Sequence, residues 1–183
     1  MDAELTARLA AEHEAIALLQ TIPGIAQRTA EALVAEIGTD LSRFPSAEQL
    51  ASWAGMCPGN AESGGRRLSG RTRHGHPWVR RTLAEVAEVA NVANVANVAG
   101  RTKNTYLAAQ FRRIAARRGK GRAIVAVGHT VLVAIYYMLA HHEPYRDLGA
   151  QYFDEQARDH LQRRLVQRRL GFAVTLEALP ATS

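Results

Sequence analysis

The stretch AIVAVGHTVLVAIYYMLA, residues 123–140, has no charged residue in eighteen positions. This length reaches the lower edge of a membrane span. However, Gly128, His129 and Thr130 interrupt the apolar run, and most of the other residues are small. We therefore predict the central core helix of an all-α domain, stopped by Pro144, and we expect no membrane partner.

Helical spacing of apolar residues continues toward the N-terminus. Residues 3–19 predict an amphipathic helix, and a second helix follows Pro23-Gly24 and ends at Gly38. Ser46 can cap a third helix, with Gln49 completing a capping box. The positions expected on the buried faces of the first two helices are Leu5, Leu9, Ile16, Leu19, Ala30, Leu33, Val34 and Ile37.

Three further helices are predicted toward the C-terminus. Pro77 suits the first turn of a long helix reaching about Val98. Residues 104–122 predict another helix, with an apolar side, and a polar helix runs from Asp147 to about Leu170. Residues 171–179, GFAVTLEAL, alternate like a short strand. The apolar side of the 104–122 helix holds Tyr106, Leu107, Phe111 and Ile114.

A valine repeat occurs inside the long helix that begins at Pro77. Its spacing of three residues differs from the 3.6-residue period of a helix, so the valine stripe should drift around the helix axis. We assign this repeat no function. The repeated residues are Val86, Val89, Val92, Val95 and Val98.

Three segments are expected in the domain organisation. Residues 1–20 form a helix that could end a coiled-coil arm, residues 21–145 form the helical domain, and residues 146–183 form a polar helix and tail.

Cys57 is the single cysteine, which rules out an internal disulfide and is too few for a cysteine-based zinc site. The first residues, MDAELTARLAAEHE, lack an apolar signal-peptide core. We expect a soluble, cytoplasmic protein in a reducing compartment.

Positive charge is concentrated in one third of the chain. Residues 1–62 hold three basic and nine acidic side chains, whereas residues 63–122 hold fourteen basic ones against only Glu85 and Glu88. Residues 123–183 carry six of each. A dense basic block of this kind indicates a polyanion partner, although a solvated charged face is the common alternative. Nucleic acid is the preferred interpretation.

The stretch LQTIPGIAQRTAEALVAEIG, residues 19–38, predicts two helices joined by a Pro-Gly turn. It resembles the helix-hairpin-helix motif, in which backbone N–H groups at a helix N-terminus bind a phosphate oxygen. Gly24 and Ile25 are therefore candidate nucleic-acid contacts. Ala26 stands where the motif usually has a second glycine. The alternative is a helix corner that only packs.

A Gly-rich basic loop, NAESGGRRLSGRTRHGHPWVRR, covers residues 60–81. Ser63 and Ser69 are hydroxyl groups among arginines, and a serine nucleophile needs a base and cations that stabilise its transition state. His74 or His76 could act as the general acid or base. The residues alone leave a solvated connector, a phosphate-binding loop and a nucleophile loop as alternatives. The candidate phosphate-binding cations are Arg66, Arg67, Arg71 and Arg73.

Taken together, these motifs resemble the C-terminal domain of bacterial insertion-sequence transposases of the 110/116/902 group. The resemblance covers roughly residues 15–150 and rests on the order of the motifs IPGI, LVAEIG, RFPSAEQLASWAGMCPGNAESGGRRLSGRTRHGHPWVRRTLAEVA and TYLAAQFRRIAARRGKGRAIVAVGHTVLVAIYYMLAHHEPYRDLG. It implies an all-α domain in which Ser63 attacks a DNA phosphodiester and forms a covalent phosphoserine intermediate. It also implies DNA and a structured guide RNA as partners, and a dimer or tetramer.

The resemblance further implies a RuvC-like N-terminal half with four acidic metal ligands. We find no strand-borne aspartate of that kind in this sequence. We therefore expect no cofactor or metal site in this chain, Mg²⁺ only in the RuvC-like half, and no activity of the chain alone. The family commonly has a Lys-x-Gly-Asn/Asp stretch where this chain reads Arg73-His74-Gly75-His76.

Several other side chains have both a functional and a structural interpretation. For Trp53 and Trp78 we predict core or helix-packing roles rather than base-stacking platforms. Tyr136, Tyr137, Met138 and His129 are predicted core residues, and Cys57 a small buried residue. Two alternatives to a transposase domain remain: a non-catalytic DNA- or RNA-binding remnant of a truncated transposase, and a helical module that binds protein.

The candidate nucleic-acid contacts near the 104–122 helix are Arg112, Arg113, Arg117, Arg118 and Lys120, with Arg122 beside them.

Overall fold

The computed structural model describes residues 2–57, 61–64, 66–69, 72, 74–92 and 105–167. Its all-α class, with long helices in the C-terminal half, agrees with the prediction. A 3₁₀ turn covers Leu41–Arg43, and two short strands, β1 (Ala61–Ser63) and β2 (Arg66–Ser69), interrupt the helices. The described helices are α1 (Asp2–Leu19), α2 (Gln27–Ile37), α3 (Ala47–Trp53), α4 (Pro77–Val92), α5 (Tyr106–Arg118), α6 (Lys120–His141) and α7 (Tyr152–Gln167).

Helix α6 lies at the centre of the fold and contacts α1, α3, α4 and α5. Within the described residues it is the one helix long and apolar enough, by length and composition, to cross a membrane. Here one of its faces forms the core, as predicted for residues 123–140. Gly128 allows the close approach to α4, because a Cβ there would lie 2.5 Å from the Met56 methyl group and 3.3 Å from the Leu83 carbonyl oxygen. The buried residues of α6 are Ala123, Val127, Gly128, Val131, Leu132, Ile135, Met138 and Leu139.

The N-terminal helices bury most of the predicted positions. Ala30, Leu33, Val34 and Ile37 form the buried face of α2, which ends at Gly38 with a positive φ of 83°. In α1, Leu19 is buried but Leu9 is 49 % exposed, so the prediction for Leu9 is wrong. The turns of α1 around Leu9 extend beyond the packed core, which α1 enters at Ala15.

The cap of α3 was predicted correctly. The Ser46 side chain accepts a hydrogen bond from the Gln49 backbone N–H at 3.4 Å. Pro77 likewise occupies the first position of α4, where its missing N–H costs no hydrogen bond. In the described part of the valine repeat, Val86 is buried and Val89 is 50 % exposed. The stripe therefore drifts around α4 as its period predicts, while residues 95 and 98 lie outside the described residues.

The predicted single helix over residues 104–122 is wrong. Helix α5 ends at Arg118, and Gly119 has a φ of 85° that breaks the helix before α6 begins at Lys120. Lys120 and Arg122 therefore belong to the first turn of α6. Thr105 caps α5, since its Oγ1 accepts a hydrogen bond from the Ala108 N–H at 3.3 Å.

Helix α7 begins later than the predicted Asp147. The Asp147 carboxylate instead accepts hydrogen bonds from the N–H of Gly149 at 2.7 Å and of Tyr106 at 3.0 Å, which holds this segment as a turn against the start of α5. Phe153 of α7 stacks on Tyr106 with 4.9 Å between ring centroids. The strand predicted for residues 171–179 lies outside the described residues.

Candidate nucleic-acid interface

The segment predicted as a Gly-rich basic loop contains a β-hairpin. Strand β1 pairs with β2 in antiparallel register, with Ser63 opposite Arg66 and Glu62 opposite Arg67. Gly64 is exposed and has a φ of 58°, which suits the two-residue connection between Ser63 and Arg66. The loop prediction is thus corrected: short antiparallel pairing gives Ser63 a defined place at the end of β1.

The chain that leaves the hairpin is fastened to α3 and α4. Thr72 Oγ1 accepts a hydrogen bond from Arg80 Nη2 at 2.8 Å, and the His76 N–H donates to the Trp53 carbonyl oxygen at 3.0 Å. Gly75 lies so close to the end of α3 that a Cβ would overlap the backbone of Gly55. These contacts fix the exit of the hairpin relative to the helical core.

His76 has a structural role that the sequence did not reveal. Its Nδ1 accepts a hydrogen bond from the Val79 N–H at 3.3 Å, which caps α4. Its Nε2 lies 3.4 Å from a Glu36 carboxylate oxygen, and its ring stacks on Trp53 with 4.8 Å between centroids. Both ring nitrogens of His76 are therefore engaged. His74, the other predicted acid–base candidate, is exposed.

The Pro-Gly turn before α2 packs against α4. The Ile25 N–H donates to the Ile22 carbonyl oxygen at 3.1 Å, and the Ile25 side chain is buried. Gly24 has a φ of 96°, and a Cβ there would lie 3.0 Å from the Val86 carbonyl oxygen. The Ile25 amide is thus used within the turn. Ala26, the N-cap of α2, makes no side-chain capping bond.

The predicted cations around the α5–α6 junction are exposed, and Lys120 and Arg113 each lie near an acidic side chain. Lys120 Nζ lies 3.1 Å from a Glu88 carboxylate oxygen. The Arg113 guanidinium lies 3.9 Å from an Asp154 oxygen and 5.6 Å from the Phe153 ring centroid. Arg117 and Arg118 make no ion pair within the described residues, and Arg112 is also exposed. Arg71 and Arg73 lie outside the described residues.

The packing prediction for Trp53 and the core prediction for Met138 are confirmed, and the core prediction for Tyr137 is wrong. Trp53 packs against Phe44 with 5.3 Å between ring centroids, and Met138 is buried. Trp78 is 41 % exposed and Tyr137 is 50 % exposed, so neither is a core residue. Trp78 instead lines a cleft with residues of α2.

Two partly buried groups near α3 have shifted pKa values. Burial lowers the pKa of His129, while the nearby Glu48 carboxylate opposes that effect. Burial also raises the pKa of the Cys57 thiol, and the Glu48 charge adds to the increase. Within the described residues, no group of three or more His, Cys, Asp or Glu side chains could hold a metal ion.

A helical domain with a basic hairpin and exposed arginines has the features of a nucleic-acid-binding protein. Residues 16–106, about half of the chain, match the family described as "Transposase IS116/IS110/IS902 family". This match supports a transposase domain of that family and a role in transposition, and such a role implies an interaction with DNA. No curated protein matches the chain.

Proposed function

We propose that this domain acts in DNA transposition and that Ser63 is its nucleophile. The observation that supports this proposal most directly is the register of the hairpin, in which Ser63 ends β1 and lies opposite Arg66. The hairpin also lies inside the stretch that matches the transposase family. Directly opposite positions in an antiparallel pair share one face of the ribbon. A cation position beside the serine suits attack on a negatively charged phosphodiester.

The proposed step exchanges one phosphoester bond for another. Ser63 Oγ loses its proton and forms a bond to phosphorus, while the bond from phosphorus to a deoxyribose oxygen breaks and that oxygen takes up a proton. His74 is the proposed proton carrier, because it is exposed and both ring nitrogens of His76 have partners. Arg66, Arg67, Arg71 and Arg73 are proposed to neutralise the phosphate charge.

The proposed DNA-binding surface includes the α5–α6 junction. Arg117 and Arg118 are the strongest candidates, since they are exposed and make no ion pair within the described residues. Contacts of this kind position a nucleic acid through its phosphates. Arg112, Arg113 and Lys120 are proposed to add to this surface. The Ile25 N–H already donates to the Ile22 carbonyl oxygen. At the Pro-Gly turn, a phosphate is therefore proposed to bind beside Gly24, at the backbone N–H groups of the first turn of α2.

Further partners are proposed from the family resemblance. These are a structured guide RNA, a second copy of the chain in a dimer or tetramer, and a RuvC-like half that supplies Mg²⁺. None of the residues proposed above acts through a metal. The proposed setting is the bacterial nucleoid.

The test compares recombination by Ser63→Ala and Ser69→Ala variants, with the RuvC-like half supplied. Ser69 is the matched control, because it lies in the same hairpin at the far end of β2, opposite Ala61. We expect Ser63→Ala to abolish strand exchange while retaining DNA binding, and Ser69→Ala to retain both. Equal recombination by wild type and Ser63→Ala would remove Ser63 from the mechanism.

The same experiment addresses the non-catalytic alternative. A wild-type protein that binds DNA in a salt-sensitive manner, but exchanges no strands with the RuvC-like half present, would support a DNA-binding remnant. Absence of any nucleic-acid binding at low salt would favour a helical module that binds protein.

A further inference from the structure

An exposed tryptophan lies in a cleft between α2 and α4. The Trp78 side chain is 41 % exposed, although a large aromatic side chain of this kind is usually mostly buried. The cleft has a volume of about 320 Å³, which is large enough for a nucleotide base and its sugar. The cleft is lined by Arg28, Thr29 and Ala32 from α2 and by Trp78, Arg81, Thr82 and Glu85 from α4.

Two arginines and one carboxylate, Glu85, line this cleft, so cations outnumber anions there. Arg28 makes no ion pair within the described part of the chain. Arg81 Nε lies 3.1 Å from a Glu85 oxygen, but both side chains are well exposed, at 82 % and 62 %, so this ion pair is weak and can be exchanged for a phosphate. Arg81 also lines the neighbouring cleft, beside His74 and Arg80. Arg81 therefore borders both clefts at the first turns of α4.

We infer that this cleft binds an unpaired base of a DNA strand, stacked on the Trp78 indole, with the flanking phosphates at Arg28 and Arg81. An indole face can stack only on a base whose own face is free, which excludes the interior of a duplex. Arginine beside an aromatic ring is the usual combination at single-strand sites. This inference rests on the proposed function, which makes DNA the partner.

The lining of the cleft argues against a protein as its occupant. Trp78 is the only large, exposed apolar side chain there, and its other neighbours are small or polar. A large contiguous apolar patch is one mark of a protein-binding surface, and this lining does not form one. A single ring between cations instead matches one base and its phosphates.

The position of the cleft suits a strand that is bound at the hairpin. The Thr72–Arg80 hydrogen bond fastens the exit of the hairpin to the first turn of α4. Trp78 belongs to that same turn. A DNA strand held at the hairpin would therefore have a base-stacking site within reach, with no rearrangement of the helices.

The test measures binding of the full chain to a labelled single-stranded DNA, to its duplex and to an RNA of the same sequence. We expect Trp78→Ala to weaken single-strand DNA binding by about 5- to 140-fold, and duplex binding by less than about twofold. Trp78→Phe should keep most of the affinity, since a phenyl ring still stacks. Tyr137→Ala is the matched control: this aromatic side chain is 50 % exposed, compared with 41 % for Trp78, but it lies near the end of α6 and its loss should leave binding unchanged.

Tryptophan fluorescence gives a second readout, which reports on the surroundings of the indole ring itself. Single-stranded DNA should quench the emission of the wild type and not that of Trp78→Phe, whose remaining tryptophan, Trp53, packs against Phe44 and His76. Unchanged single-strand affinity in Trp78→Ala, an equal loss on the duplex, or a loss confined to RNA would each overturn the inference. If the wild type binds no nucleic acid at all, the proposed function fails as well.

Discussion

Replacing Gly75 by alanine should destabilise the fold at the point where the hairpin joins the core. A Cβ on Gly75 would overlap the backbone N and Cα of Gly55 and lie 2.5 Å from the Ala54 carbonyl carbon. All of these are backbone atoms, so no side-chain rotation can relieve the overlap. The segment 74–76 would have to move away from α3, which would break the hydrogen bond from the His76 N–H to Trp53.

The expected loss is about 3 kcal/mol or more, because overpacking against backbone exceeds the usual cost of an added methylene group. For a chain of this size, that corresponds to a fall in Tm of roughly 6–12 °C. Thermal unfolding followed by circular dichroism measures it. Gly121→Ala is the matched control: nothing lies within 4 Å of its added Cβ, and α6 should gain about 0.5 kcal/mol. A Gly75→Ala variant as stable as Gly121→Ala would refute the proposed contact.

Three other perturbations test the packing around the site. Burial lowers the pKa of His129, so the folded state favours its neutral form; stability should be full above pH 6.5 and fall as the pH drops below it. Urea midpoints at about pH 7.5 and about pH 5.5 should show a smaller difference in His129→Gln. Gly24→Ala combines a positive φ with a 3.0 Å approach to the Val86 oxygen and should cost about 2 kcal/mol or more in urea unfolding. Thr105→Ala removes the cap of α5 and should lower the free energy of unfolding by about 1 kcal/mol. Thr105→Ser keeps a capping hydroxyl group and should retain most of that stability.

Most of the correct predictions of the fold came from the local spacing of apolar residues and from local capping signals. The buried face of α2, the Ser46 cap and the position of Pro77 each depend on residues within a few positions of one another. The buried residues of α6 follow from an apolar run too long for a strand. Such features need no knowledge of distant contacts, which is why the sequence was sufficient for them.

Some errors had a usable signal in the sequence. Gly119 follows two arginines and stands where a helix C-terminus commonly has glycine, so the break between α5 and α6 was foreseeable. Gly64-Gly65 between short segments is likewise a recognised signal for a two-residue β-hairpin. In both cases the glycines were interpreted as part of a longer element.

Other features depend on contacts between distant residues. The sequence gives no indication that His76 meets Glu36 and Trp53, because these pairs form only after α2, α3 and α4 pack together. The exposure of Trp78 depends in the same way on how α2 and α4 pack together. The prediction of Ser63 came from the family resemblance, and the residues alone offered Ser63 and Ser69 as equals.

The most direct test of the central claim is peptide mapping of the protein after reaction with DNA. A DNA substrate is incubated with the chain and its RuvC-like half, the mixture is denatured and digested, and the peptides are analysed by mass spectrometry. We predict a nucleotide adduct on the peptide that contains Ser63, assigned to that residue by fragmentation and absent from Ser63→Ala. An adduct on Ser69, or strand exchange without any adduct on this chain, would contradict the account.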